Sequence, residues 1–256
     1  MLKVRVIPTL LWKQFGLVKG VNFNSWRRLG PVLPAIKIYN QREVDELILV
    51  DILANQSEDD LDFEAIHEFG QECFVPLTVG GGVTNIEQVQ NLLRAGADKV
   101  CVNSFSYKKP ELLNEIAKRH GSQCLVASID VRKNLLGDGW QCFSHAGKQP
   151  TGFEVCSWAH EIEDRGAGEI LITSIDQDGT FQGYDLALIE AITQTVKIPV
   201  IASGGAGNYQ HMIDAVKKAG ASAVAAASIV HFTEQTPAAA KLAMQAAGIP
   251  VRLNSL

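Results

Sequence analysis

The sequence is poor in the features that most directly betray a function. Its five cysteines (Cys73, Cys101, Cys124, Cys142 and Cys156) are odd in number, scattered and free of CxxC spacing. That argues against structural zinc, shows no evident nucleophile setting, and fits a reduced, cytoplasmic setting. The six histidines (His67, His120, His145, His160, His211 and His231) lack metal-ligand spacing, so surface or local structural roles are expected and no metal. There is no basic surplus, since 23 Lys and Arg face 28 Asp and Glu, for a net charge of −5. General nucleic-acid binding is therefore not expected. No apolar run reaches the roughly 18 residues that span a bilayer. The opening Met1-Leu-Lys-Val is already strand-like, so no leader is expected. No linker, low-complexity tract or nucleotide fingerprint with its distal acid is present, which leaves no cofactor to expect. What remains, at 46% hydrophobic and 20% charged over 256 residues, is enough to bury a substantial core.

What the chain does contain is a repeat. Val75-Pro-Leu-Thr-Val-Gly-Gly-Gly82 continues to Arg94-Ala-Gly-Ala97 and ends at Val102-Asn-Ser104. Ile198-Pro-Val-Ile-Ala-Ser-Gly-Gly205 continues to Lys218-Ala-Gly-Ala221 and ends at Ala226-Ala-Ser228. A duplicated strand, glycine turn, helix and strand implies two related binding sites on one scaffold. The offset roughly pairs the strand ending at Asp130 with the N-terminal strand Val4–Leu11. Where symmetry asks for a second aspartate stands Leu11.

Apolar, β-branched runs predict strands near Val4–Leu10, Glu46–Ile52, Pro76–Gly80, Lys99–Asn103, Cys124–Asp130, Glu169–Ile175, Pro199–Ser203 and Ala223–Ala227. Amphipathic spacing predicts helices over segments such as 85–95, 110–120, 152–165, 186–195 and 210–219. Eight β/α alternations in two equal halves fit a single-domain (β/α)8 TIM barrel better than an open sheet. The half-barrels would divide near residues 122 and 123. The longest connections, 11–32, 53–72 and 131–150, lie on the carboxyl-end face, where barrel enzymes keep their chemistry.

Each glycine turn follows a strand and precedes a helix, where backbone N–H groups and the positive helix end meet an anion. One such turn is only a turn. Two, each beside a polar strand end, point to phosphate: Gly81, Gly82, Asn103 and Ser104 in one half, Ser203, Gly204, Gly205, Ala227 and Ser228 in the other. A ligand phosphorylated at both ends is the natural guest.

These residues resemble the cyclase subunit of imidazole glycerol phosphate synthase, and the likeness runs end to end. It is carried by Arg5-Val-Ile-Pro8, Val18-Lys-Gly-Val-Asn-Phe23, Asp45-Glu-Leu47, Val79–Gly82, Gly96-Ala-Asp-Lys99, Gly166-Ala-Gly-Glu-Ile170, Thr173-Ser-Ile-Asp176 with Asp178-Gly-Thr180, Ile201–Gly207 and Val251-Arg-Leu253. The resemblance implies a glutaminase partner docked at the amino-end face, releasing ammonia that crosses the barrel to a bisphosphorylated ribulosyl-aminoimidazole. It also implies an ammonia gate of alternating charge at Arg5, Glu46, Lys99 and Glu169, with Asp98 facing the glutaminase. Those four charges fall at strand starts, so they can converge at one end and must pair there. A purely structural ion network closing the barrel floor is the other reading of them.

The family's acid and base end the first and fifth strands. Asp130 matches one of them. The other position, in Ile7-Pro-Thr-Leu-Leu11, is hydrocarbon and cannot move protons. The turn before Lys19 reads Gln14-Phe-Gly16, and Pro31 and Pro34 fill a region where the family has aspartate. Lys19 is expected to cover a phosphate or to be a solvated loop lysine. Asp176 (a possible auxiliary to Asp130) and Asp178 either serve substrate or cap the next helix, and Asp51 carries the same ambiguity. Trp12, Phe15 and Trp26 crowd the first loop as packing or as a partner surface.

These departures, with Glu43-Val-Asp-Glu46, resemble a paralogous branch that accompanies surface-polysaccharide biosynthesis. There the barrel and its glutaminase supply ammonia to a sugar amidotransferase that makes an acetamidino group. The competing expectations are a working cyclase of histidine biosynthesis, the sister phosphoribosyl isomerase, and a scaffold that only activates its glutaminase.

Overall fold

The computed structural model describes residues 2–13, 16–42, 44–52, 61–134 and 137–253. Gln14, Phe15, Glu43 and the stretch 53–60 of the second long connection lie outside them, as does the side chain of His231. Eight parallel strands close into a barrel: β1 (Arg5–Lys13), β4 (Leu47–Asp51), β5 (Leu77–Gly80), β6 (Lys99–Val102), β7 (Leu125–Lys133), β10 (Glu169–Ser174), β11 (Val200–Ser203) and β12 (Ala223–Ala226). Pairing of β12 with β1 and of β7 with β10 completes the ring. Each predicted strand is present, six with both ends within one residue, while β1 and β7 run three residues past their expected ends. Helices α1 (Val32–Gln41), α2 (Phe63–Glu72), α3 (Ile86–Arg94), α4 (Glu111–His120), α5 (Val155–Asp164), α6 (Leu186–Thr195), α7 (Tyr209–Lys217), α8 (Ser228–Phe232) and α9 (Pro237–Ala246) follow in chain order.

The alternation of strand residues explains the closure. Outward residues such as Val6, Leu47, Val100, Ile170 and Val200 join the large core under the helices, while Ile7, Ile48, Cys101, Val126, Leu171, Ile201, Ala223 and Ala225 form a separate cluster in the lumen. Such two-sided burial is what near-continuous apolar runs encode. These residues give the lumen an apolar layer.

Two long connections hold strands that the sequence did not announce. β2 (Gly16–Val21) and β3 (Asn24–Gly30) extend β1 into an antiparallel ribbon, and β8 (Trp140–Ser144) and β9 (Gln149–Glu154) do the same for β7. The helix expected from Gly152 therefore starts three residues later. Glu154 caps it, accepting from Cys156 and Ser157 N–H. The repeat shows in the caps too. Asn85 accepts from Gln88 N–H at α3, and Asn208, 123 residues on, accepts from His211 N–H at α7.

A candidate active site between a charged floor and a two-cradle pocket

Because the strands are parallel, all their starts lie at one end of the barrel. Arg5, Lys99 and Glu169 open β1, β6 and β10, and Glu46 precedes β4. Their side chains close a four-membered ring. Arg5 Nη1 lies 2.7 Å from Glu46 Oε1 and 2.9 Å from Glu169 Oε1, while Lys99 Nζ lies 3.1 Å from Glu46 Oε2 and 3.3 Å from Glu169 Oε1. Two cations and two anions cancel, which is what partial burial demands. Burial works against the Arg5 charge, but Glu169 and Glu46 more than offset it, so the guanidinium is held above its ordinary value. Asp98 is exposed beside this ring, one oxygen accepting Leu77 N–H at 2.8 Å.

A pocket occupies the other end, and the top of the lumen forms its floor. Cys101, Leu171 and Ala225 belong to both. Gly81, Gly82, Asn103 and Ser104 line one side, and Ser203, Gly204, Gly205, Ala227 and Ser228 line the other. The two turns are built alike. A Cβ on Gly81 would strike the carbonyl oxygen of Asp51, and one on Gly204 would come within 2.6 Å of the carbonyl oxygen of Ser174. Both φ angles are positive, at 100° and 89°. Only glycine lets the chain pass this close to the neighbouring strand end.

Strand register places Leu11 against Asp130. Leu11 pairs with Val50, which pairs with Gly80; Asp130 pairs with Thr173, which pairs with Ser203. Val50 and Thr173, like Gly80 and Ser203, stand 123 apart, so Leu11 and Asp130 hold corresponding positions, both lining the pocket. Asp130 is buried and accepts a hydrogen bond from Asn103 Nδ2 at 2.8 Å. Burial pushes its carboxyl up to about 7; the Asn103 bond opposes the rise and the nearby Asp178 carboxylate adds to it.

The two acids after β10 part company. Asp176 turns outward, 3.2 Å from Arg132 Nη1, and accepts Lys133 N–H at 3.0 Å; it does not line the pocket. Asp178 does, and it holds Lys19 Nζ at 3.0 and 3.1 Å through its two oxygens. Neither caps α6, since Asp185 accepts Leu188 N–H there. Lys19 is therefore a buried, paired lysine rather than a solvated one, and its bond ties the β2–β3 ribbon over the pocket. Asp51 ends β4 in the same lining, and Trp26 reaches it from β3. Trp12, by contrast, is packed edge-on against Phe69 with ring centroids 5.4 Å apart.

One contact was invisible in the sequence. The β8–β9 turn brings His145 to the first cradle, where its N–H donates to Ser104 Oγ at 2.8 Å. Its imidazole Nδ1 lies 3.0 Å from Ser144 Oγ. No metal-ligating cluster is found among the described residues, and no helix among them is long and apolar enough to cross a membrane.

The family model described as "Histidine biosynthesis protein" matches residues 5–236. The chain is 44% identical over 254 residues to the imidazole glycerol phosphate synthase subunit HisF of Microcystis aeruginosa, covering 98% of this chain and 100% of that one. It is 45% identical over 256 residues to the subunit of the same name from Caulobacter vibrioides, covering 100% of this chain and 98% of that one.

Proposed function

Because this chain belongs to the HisF-like histidine biosynthesis protein family, we propose that it is the ammonia-receiving subunit of a glutamine amidotransferase complex whose own ring-closing chemistry is impaired. In this reading a glutaminase docks on the amino-end face, around Asp98 and the ring of Arg5, Glu46, Lys99 and Glu169. Ammonia enters there and crosses the lumen as the neutral molecule. An apolar layer of Ile7, Ile48, Leu171 and Ile201 penalises an ammonium ion far more than ammonia. The nitrogen ends in an amidine on a sugar of surface-polysaccharide biosynthesis, made by a third enzyme. The two cradles hold phosphate of a small ligand.

The observation that carries the impairment is the register row that sets Leu11 where Asp130 has its counterpart. A neutral hydrocarbon neither donates nor accepts a proton, and loss of one general acid or base lowers a rate by about 10²–10⁴, or roughly 3–5 kcal/mol of barrier. The test is steady-state turnover of the bisphosphorylated ribulosyl-aminoimidazole with ammonium salt. The expected rate is far below that of an ordinary cyclase, and Leu11→Asp is expected to raise it by about 10²-fold. Ordinary turnover by the unmodified chain would end this reading.

A second reading, a working cyclase of histidine biosynthesis, is favoured by Asp178. This carboxylate lines the same pocket and lies close enough to Asp130 to help raise it. With Lys19 bound to it, Asp178 offers a second proton-transfer group. The same turnover assay separates the two, with Asp178→Asn abolishing activity only if it shares the work.

A further inference from the structure

Two members of the floor ring stand on strands that begin alike. Asp45 comes just before Glu46 and Asp98 just before Lys99, and each aspartate grips a neighbouring strand. Asp98 donates its N–H to Leu77 O at 2.8 Å, and its Oδ2 accepts Leu77 N–H at 2.8 Å. Asp45 does the same to Val6, with its N–H 3.5 Å from Val6 O and its Oδ2 accepting Val6 N–H at 2.8 Å. Val6 adjoins Arg5. The Asp45 carboxylate therefore ties together backbone next to two members of the ring.

The likeness ends at the second oxygen. Asp98 faces solvent, whereas Asp45 is buried. Lys241 of α9, itself buried, reaches in from 196 residues away to hold Asp45 Oδ1 at 3.1 Å. A buried ion pair is a poor source of stability, since hydrocarbon of similar volume serves a core as well or better. Nor does gripping the next strand call for the lysine, because Asp98 makes the same grip while facing water. What the lysine adds is fixity. A carboxylate held by a cation at one oxygen and an amide at the other has one orientation.

We propose that Lys241 is a positioning residue of the floor ring: by holding Asp45 it fixes the backbone at Arg5 and Glu46, and so the 2.7 Å contact between their side chains. Its consequence for ammonia rests on the gate reading above. Without the cation, Asp45 is a lone charge in a dry site and turns toward water, releasing Val6 and carrying Glu46, the next residue, with it. Glu46 also holds Lys99 at 3.1 Å, so one displaced side chain unties both cations.

The test has two readouts, both on the full chain. In crystals of Lys241→Met, Glu46 should stand beyond hydrogen-bond reach of Arg5. In the complex with its glutaminase, fed labelled glutamine, the share of amide nitrogen caught by a trap in bulk solvent should rise about fivefold, the shift that one partly screened ion pair commands. Lys241→Met, Asp45→Leu separates positioning from mere structure. Hydrocarbon removes the lone charge and should return most of the urea midpoint, yet nothing then holds Val6 N–H, so Glu46 stays displaced and nitrogen still escapes. This double variant also carries the test if Lys241→Met does not fold. An intact Arg5–Glu46 contact in Lys241→Met, or a contact and nitrogen retention that both return in the double variant, overturns the assignment. If Glu46 is displaced and no more nitrogen escapes, the gate reading falls and the positioning stands. If Lys99→Met leaks while neither Lys241 variant does, the gate stands and Lys241 has no part in it.

Discussion

The two ribbons above the barrel are built to one plan and used differently. β1 and β7 are each nine residues long, and each runs past the barrel rim into an antiparallel hairpin. In the second half, Asp130 stands opposite Phe143, and the hairpin tip reaches the first cradle through His145 and Ser104. In the first half, Leu11 stands opposite Val18, and the next residue, Lys19, spans the site to Asp178 of the other half. The half that lost its carboxylate kept its cation and aims it at the carboxylate that remains. Asp130 and the Asp178 carboxylate that adds to its rise thus both come from the second half.

The sharpest break of that asymmetry is chemical. Leu11→Asp should restore ring closure, and adding Asp130→Asn to that variant should remove it again by about 10²–10⁴, both read by steady-state kinetics. Next is the tie between halves. Lys19→Met leaves Asp178 buried without its cation and should destabilise the fold by about 3–5 kcal/mol in urea unfolding, while a Lys19→Met, Asp178→Leu pair should recover most of it. If the single variant is neutral, the ribbon is not held by that bond.

Smaller effects sharpen the likeness of the cradles. Gly81→Ala and Gly204→Ala each force a methyl against a strand carbonyl, for a loss of about 1–3 kcal/mol and weaker phosphate binding. If only one matters for phosphate, the cradles are no longer equivalent. The pH dependence of stability tests the environment of Asp130. Its carboxyl sits at about 7 when folded against an ordinary 3.8, so the native state holds that proton more tightly. Stability from this group is therefore lost as pH rises through that interval. Asp130→Asn should raise Tm by an amount that grows from about pH 4 to 7 and then levels. A gain that is flat with pH would mean that burial does not perturb the group. Least in stability terms is the floor, which is only partly buried. Lys99→Met should leave glutamine hydrolysis by the docked partner intact while releasing its ammonia to bulk solvent, measured by trapping. Unchanged transfer removes the gate assignment.

The eight barrel strands were legible because each is a short apolar run buried on both faces. The hairpin strands were not. Asn24–Gly30 is almost wholly polar and half-exposed, and Gln149–Glu154 carries Pro150 and Gly152, so neither shows a two-residue period. Helix α1 hides behind Pro31 and Pro34, which sit at its cap and first turn, where no amide donor is missed. The cradles were readable because glycine pairs announce backbone conformation. Asp176 and Asp178 were not distinguishable, because two residues in a turn can point to either side.

The amino-acid order alone settled the closed barrel, its two glycine turns and the identity of the four floor charges, since all of these are written in residues near one another or at strand ends. Which acid reaches the pocket, which way Asn103 turns its amide, and the bond between Lys19 and Asp178 across 159 residues were decided only when the chain closed. Those choices are made by hydrogen-bond partners that no local stretch contains.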